Sequence, residues 1–120
     1  MDSYSFSEKD WKLYRSKVAD WQEAHMERLC KEYIGILCTD EIGSERFWKL
    51  HDRIKEDVKS PGVIVKNSRS EMFNNILGLL SDGVITLDDL DGFSDDLRER
   101  LAFIIKNHPE YFDDRKESEE

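Results

Sequence analysis

The sequence predicts an all-α fold, a bundle of four to five helices that begins with one long amphipathic helix at about residues 8–38. Apolar residues recur every three or four positions through most of the chain, which is the period of an amphipathic helix. Gly, Pro, Ser and Thr stand where this periodicity stops. The run Val63–Val65 is β-branched but too isolated to form a sheet. It is predicted to be an extended connector or the irregular start of a helix.

The first helix has the clearest pattern. Ser7 precedes Glu8 and Asp10, so a hydroxyl that can cap the helix stands beside carboxylates that complement the positive end of its dipole. At about 100° per residue, one third of the helix surface carries an aromatic and aliphatic stripe. The stripe consists of Trp11, Tyr14, Val18, Trp21, His25, Leu29, Tyr33 and Ile36.

Four further segments are predicted to be helical. Each begins at a Ser or Thr, whose side chain can accept a hydrogen bond from a first-turn amide. Pro61-Gly62, Gly83 and Pro109 mark where helices must stop. The segments run from Ser44 to about Lys59, from Ser68 or Ser70 to Ser81, from Thr86 to Leu90, and from Ser94 to about Lys106.

The charge is concentrated at the end of the chain. The net charge is −9, and residues 1–80 carry 14 acids and 13 bases whereas residues 81–120 carry 13 acids and 5 bases. Because no basic face is available to neutralise phosphates, no nucleic-acid partner is expected. A length of 120 residues fits one domain. It is predicted to span residues 1–108, and the acidic stretch 109–120 is predicted to be a disordered tail.

The hydropathy of the chain predicts no membrane partner. Its mean value is −0.70, and no run approaches the roughly 18 apolar residues that a membrane span needs. The first residues lack the basic and apolar regions of a signal peptide. We therefore expect a soluble, cytoplasmic protein.

One stretch resembles a metal-binding motif. Ser81–Leu90 is similar to the second half of the calcium loop of the EF-hand family, in which a Gly is followed by x-Ile-Thr and an acid. That loop needs oxygen ligands at its first, third, fifth and twelfth positions. Alignment on the glycine puts Gly78 at the first and Leu80 at the third, and only Asp82 and Asp89 match. Calcium binding is therefore not expected, and the stretch is interpreted as a corner between helices.

The cysteines and histidines predict no catalytic or metal site. Cys30 and Cys38 would lie about 12 Å apart along one helix, which is too far for a disulfide, and a zinc site needs about four ligands. His25 lies within the aromatic stripe and is interpreted as a core or interface histidine. The sequence contains no Gly-flanked nucleophile and no phosphate-binding Gly loop. We expect a protein that is not an enzyme and that has no cofactor.

The length of the first helix predicts association. A compact domain of this size has a radius of gyration near 14 Å and a diameter of about 35 Å, whereas a helix over residues 8–38 is about 46 Å long. One end should overhang and expose aromatic side chains, which are enriched at protein interfaces. The alternative is that the helix kinks, or that the other helices lie along it in an elongated bundle, so that the stripe is core.

Several stretches of the chain resemble a family of small, uncharacterised all-α proteins of anaerobic gram-positive bacteria. They are Glu8–Trp11, Trp21–Ala24, Phe47–Asp57 and Leu80–Arg100. Members sometimes have the label "multidrug transporter", which does not fit a chain without a membrane span. The resemblance implies a helical fold but no known activity and no functional residues.

Two functional hypotheses follow from the sequence. The first is a non-enzymatic interaction or regulatory protein that forms a homodimer, or binds another protein, through the aromatic face of the first helix. The second is a small-molecule-binding module with a pocket between helices, lined by Trp11, Trp21, Trp48 and His25. The candidate interface or pocket residues are Trp11, Tyr14, Val18, Trp21, His25, Leu29, Tyr33 and Trp48.

Overall fold

The computed structural model describes residues 6–111 and confirms the all-α prediction. Its four α-helices are α1 (Glu8–Leu37), α2 (Gly43–Asp57), α3 (Met72–Ser81) and α4 (Asp95–Asn107). Short 3-10 turns lie at Arg69–Glu71, Leu87–Leu90 and Pro109–Tyr111. The last of these turns falls in the predicted tail 109–120, and residues 112–120 of that tail lie outside the described residues.

Helix α1 is continuous and has nearly the predicted bounds. The Ser7 hydroxyl accepts a hydrogen bond from the Asp10 amide at 3.1 Å, as the capping pattern predicted. The helix ends where the Cys38 amide donates to the Ile34 carbonyl. Its 30 residues extend over about 45 Å.

The hydrophobic core lies against the first half of α1, residues 8–22. Tyr14 and Val18 are buried there, and the Tyr14 hydroxyl donates to Asn67 Oδ1 at 2.8 Å and accepts from Asn75 Nδ2 at 3.2 Å. The rest of the core comes from α3, α4 and the segment between them. These residues are Met72, Phe73, Ile76, Leu79, Leu80, Val84, Ile85, Leu90, Phe93, Leu97 and Leu101.

A buried carboxylate joins the start of α1 to the start of α4. Asp10 is 1% exposed, and its two oxygens accept from the Ser94 amide at 2.8 Å and from the Ser94 hydroxyl at 2.6 Å. The same hydroxyl accepts from the Leu97 amide and so caps α4, as predicted. One charged group therefore satisfies two donors and fixes where α4 begins.

The corner between α3 and α4 matches the interpretation of Ser81–Leu90. Gly83 has φ 76°, the left-handed conformation that ends a helix. Thr86 and Asp89 then form a reciprocal capping box around the 3-10 turn. The Asp89 carboxylate therefore stabilises a turn.

Helix α2 packs antiparallel on the second half of α1, residues 23–37. Together with Val58, which caps the end of α2, the two form a unit that we call the distal hairpin (residues 23–58). The prediction that Ser44 caps α2 is wrong, because the helix begins at Gly43 with Ile42 at the capping position and no side-chain cap. The five-residue connection 38–42 leaves α2 no reach to the core beside the first half of α1. Within the described chain, α2 contributes no buried residue.

The overall shape is elongated. The principal extents are 56 × 26 × 22 Å and the radius of gyration is 16.6 Å, larger than the value near 14 Å expected for a compact domain. The expectation of a compact body is therefore wrong, and the elongated bundle describes the chain. The core lies at one end and the distal hairpin at the other.

Two glycines with opposite surroundings test this packing. A Cβ on Gly62 would lie 2.4 Å from His25 Cδ2 and 2.7 Å from Val84 Cγ2, whereas a Cβ on Gly35 would meet nothing within 4 Å. We predict that Gly62→Ala lowers the free energy of unfolding by about 1–3 kcal/mol through overpacking. Gly35→Ala should raise it by about 0.5–1 kcal/mol through helix propensity. Urea unfolding of both variants measures this, and a stable Gly62→Ala protein would contradict the packing at the corner.

Candidate functional site

The distal hairpin has two unlike faces, one polar and one apolar. On the polar side, α1 and α2 enclose a cleft with the turn after α2 and the end of α3, and its volume is about 910 Å³. We call it the polar cleft. It is lined by His25, Arg28, Leu29, Glu32, Arg53, Glu56, Asp57, Lys59, Ser60, Asp82 and Gly83.

A four-residue network on this side holds α2 on α1. The Tyr33 hydroxyl donates to Asp57 Oδ2 at 2.5 Å, and Arg53 Nε donates to the same oxygen at 2.9 Å. Arg53 also pairs with Glu32 and lies over the Tyr33 ring, 5.7 Å from its centroid. Burial, together with the hydrogen bond to the Asp57 carboxylate, raises the pKa of Tyr33 to about 12. The hydrogen bonds and charge of Glu32 and Asp57 raise the pKa of Arg53. Tyr33 and Arg53 therefore both keep their protons at all ordinary pH values.

His25 lies where the polar cleft meets the core. Its ring packs against Gly62, and its Nδ1 is buried without a hydrogen-bond partner among the described residues. Burial lowers the pKa of His25 and the neighbouring Arg28 guanidinium lowers it further, while Asp57 opposes the shift. The imidazole is therefore neutral at pH 7.

Polar side chains of α1 in the cleft and next to it bind the backbone of the segments that follow α2 and α3. Gln22 Nε2 donates to the Pro61 carbonyl at 2.9 Å, and Arg28 donates to the Val84 carbonyl at 3.2 Å. The remaining cations of the cleft are ion-paired, because Arg53 binds Glu32 and Asp57 while Lys59 binds Glu56. These bonds hold the base of the hairpin in place, and this accounts for the polar lining. Among residues 6–111, no group of three or more His, Cys, Asp or Glu side chains is arranged to hold a metal ion.

The opposite side of the hairpin exposes a patch that we call the apolar hairpin face. Phe47 and Trp48 are 61% and 57% exposed and touch edge to face, with ring centroids 5.0 Å apart. Five further apolar side chains of the hairpin are at least 39% exposed, whereas Leu29 is buried between the helices and the core. The face consists of Ile34, Leu37, Ile42, Phe47, Trp48, Ile54 and Val58.

Helical geometry places these side chains on one side. At about 100° per residue, Phe47, Ile54 and Val58 fall within about 40° of one another. Glu56, which lines the polar cleft, lies about 180° from Phe47 on α2. On α1, Glu32 of the cleft lies about 160° from Ile34. Phe47, Ile54 and Val58 therefore point away from the cleft, as does Ile34 on α1. Trp48 lies about 100° from Phe47, at the edge of this face.

The structure separates the predicted site residues into three groups. Tyr14, Val18 and Leu29 are buried within the chain and cannot contact a partner without unfolding. Trp11 and Trp21 are partly buried against the core, where Trp11 stacks on Tyr14 and Trp21 on Phe93. His25 and Tyr33 belong to the polar side of the hairpin, and Trp48 lies on the apolar hairpin face.

The structure does not bring the predicted pocket residues together. His25 lines the polar cleft, whereas Trp11, Trp21 and Trp48 do not. The members of the apolar hairpin face that were not among the predicted site residues are Ile34, Leu37, Ile42, Phe47, Ile54 and Val58. The signal that could have found them is the short connection 38–42, which fixes α2 against the far end of α1.

Comparison of the chain with models of known protein families, with curated proteins and with solved structures finds no match. The family resemblance of its sequence therefore stays an expectation. In the part of the chain that the structure describes, each helix is too short or too polar to cross a membrane.

The Tyr33–Asp57 bond predicts an alkaline transition. The pKa of Tyr33 is about 12 in the folded chain and 10.0 for an unperturbed tyrosine, so its contribution is complete below about pH 10 and is lost as the pH rises through 12. Tyr33→Phe should lower the free energy of unfolding by about 1 kcal/mol at neutral pH. It should also lose less stability than the wild type between pH 10 and 12. Urea unfolding across this range measures both, and identical alkaline slopes would contradict the assignment.

The lowered pKa of His25 predicts that the free energy of unfolding depends on pH below neutrality. Because its pKa is lowered below the unperturbed 6.5, its stabilisation is complete above about pH 6.5 and is lost as the pH falls through the lowered value. His25→Gln should therefore lose less stability than the wild type between about pH 6.5 and pH 5. The exposed His51 supplies the control variant, His51→Gln, which should keep the wild-type dependence. Equal slopes for all three proteins would overturn the prediction.

Proposed function

We propose that this protein is a non-enzymatic interaction or regulatory protein that self-associates through the apolar hairpin face. The observation that carries the proposal is that the apolar stripe of α2 is not buried. Phe47 and Ile54 form one stripe on it that Val58 continues at its C-terminal cap, yet the helix buries no residue within the described chain. An amphipathic helix owes most of its stability to packing of its apolar face. A partner on that face supplies the packing that the single chain lacks.

The size of the face supports this proposal. Each of its seven side chains exposes on the order of 100 Å², so that together they offer roughly 700 Å². A stable protein interface buries about 800 Å² on each partner. Monomeric proteins expose contiguous apolar patches of about 300–600 Å² at most. The face is therefore larger than a monomer usually leaves in water and close to what one interface requires.

The proposal revises the surface expected from the sequence. The aromatic stripe of α1 was predicted as the interface, but Tyr14 and Val18 are core residues. In the second half of α1, the side that carries the stripe is covered by α2. What remains for a partner is the other side of the hairpin, with Ile34 and Leu37 from α1.

A cytoplasmic location is part of the proposal. Cys30 and Cys38 are both exposed free thiols, and unpaired exposed thiols are typical of reducing compartments.

Sedimentation equilibrium of the wild type, Phe47→Ala and Trp48→Ala tests the proposal. The wild type should be a dimer that dissociates on dilution. Each variant should raise the dimer Kd by about 30-fold or more, since loss of a central aromatic at an interface costs about 2 kcal/mol or more. Neither variant should lower the stability of the monomer, because both side chains are mainly exposed there.

Phe103 provides the matched control. It is 66% exposed on α4, away from the hairpin, so Phe103→Ala should leave the dimer Kd unchanged. A wild type that sediments as a 14.2 kDa monomer at all concentrations, or a dimer that Phe103→Ala weakens as much as Phe47→Ala does, would contradict the proposal.

A further inference from the structure

Resting on the proposed self-association, we infer that protonation of His51 dissociates the two copies, so that mildly acidic pH switches the association off. The inference follows from the position of one imidazole on the apolar hairpin face. It does not depend on how the second copy is oriented there.

His51 lies in the middle of the apolar side of α2. At about 100° per residue it points about 40° from Phe47 and about 60° from both Trp48 and Ile54. Two of these residues lie one turn before it and the third lies one turn after it. Its ring meets Trp48 edge to face, with centroids 5.1 Å apart, and its side chain is 51% exposed. A second copy that covers Phe47 and Ile54 therefore also covers the imidazole, whichever way that copy runs.

Covering this ring has different consequences for its two charge states. In the monomer, water hydrates the half-exposed imidazole whether it is neutral or protonated. Association removes that water, which disfavours the charged form of a buried group. Protons and the second copy therefore compete for the face, and uptake of a proton favours the monomer. Unfolding of the dilute monomer is unaffected, because the ring stays hydrated there.

The charges of α2 next to His51 do not offset this effect. Asp52 Oδ1 lies 3.2 Å from Nδ1 of the imidazole, but the Asp52 side chain is 77% exposed and points about 140° from Phe47. It is therefore outside the face, where an ion pair contributes little. Lys55 lies one turn after His51 and about 40° from it, so it adds a like charge. A second copy brings the same two groups to the border of the interface.

No charged group of the other described elements faces this imidazole. Arg28 and Glu32 line the polar cleft, on the other side of the hairpin. Lys31 lies about 160° around α1 from the tyrosine that binds α2, so it points away from α2. Glu27 lies almost two turns nearer the core than Ile34, about 10 Å along the axis. The connection 38–42 ends about 13 Å before the imidazole along α2.

Sedimentation equilibrium at about pH 8 and about pH 5.5 tests the inference. The wild-type dimer Kd should rise about tenfold or more at the lower pH, because imidazoles change charge within this range and each dimer covers two of them. His51→Gln and His51→Leu cannot take up the proton, so their Kd should stay nearly constant. The other two histidines supply matched controls, since His25→Gln and His108→Gln should keep the wild-type rise.

The outcomes separate this inference from the proposal on which it rests. A wild-type dimer whose Kd does not rise at the lower pH overturns the inference and leaves the self-association intact. A rise that both variants of His51 retain, or that His25→Gln abolishes, also overturns it. A chain that sediments as a monomer at about pH 8 contradicts the self-association itself.

Discussion

The length of α1 is the constraint on which the rest of the structure depends. A continuous helix of 30 residues extends over about 45 Å, and the remaining helices have 15 residues or fewer. Helices α3 and α4 cover the first half of α1, and the buried Asp10 carboxylate fixes α4 there through Ser94. The five-residue connection after α1 then obliges α2 to return along the second half. One helix thus belongs to two environments, a closed core and an open hairpin.

These two parts are stabilised by different interactions. In the core, each buried side chain such as Tyr14 or Ile76 contributes about 1.5–3 kcal/mol. In the hairpin, Leu29 is buried, but the specific contacts between α1 and α2 are ion pairs and hydrogen bonds among partly exposed groups, which contribute about 0–1 kcal/mol each. The Tyr33–Asp57–Arg53 network fixes the position of α2 on α1 more than it stabilises the fold. The hairpin alone is therefore the less stable part, and the apolar hairpin face is where additional stabilisation can be gained.

The periodicity of the sequence was sufficient to predict the helices but not to predict which elements pack against them. Ser7, Gly83, Thr86 and Ser94 act locally, through one hydroxyl or one backbone angle, and their roles were predictable. The apolar stripe of α2 was also visible, but a stripe does not say what covers it. Whether Phe47 faces the core or water depends on the connection 38–42 and on the length of α1. Ser44 shows the same limit on a smaller scale, because the capping position of α2 is Ile42, two residues before the predicted cap.

The central claim is that the second half of α1 and α2 form a stable hairpin only when a second copy covers their apolar side. Hydrogen–deuterium exchange at two protein concentrations, one below and one above the dimer Kd, tests this most directly. The account predicts that amide protection in residues 28–58 rises with concentration, while protection in α3, α4 and the first half of α1 stays the same. Protection of α2 that equals that of α3 in the dilute protein and does not change with concentration would contradict it.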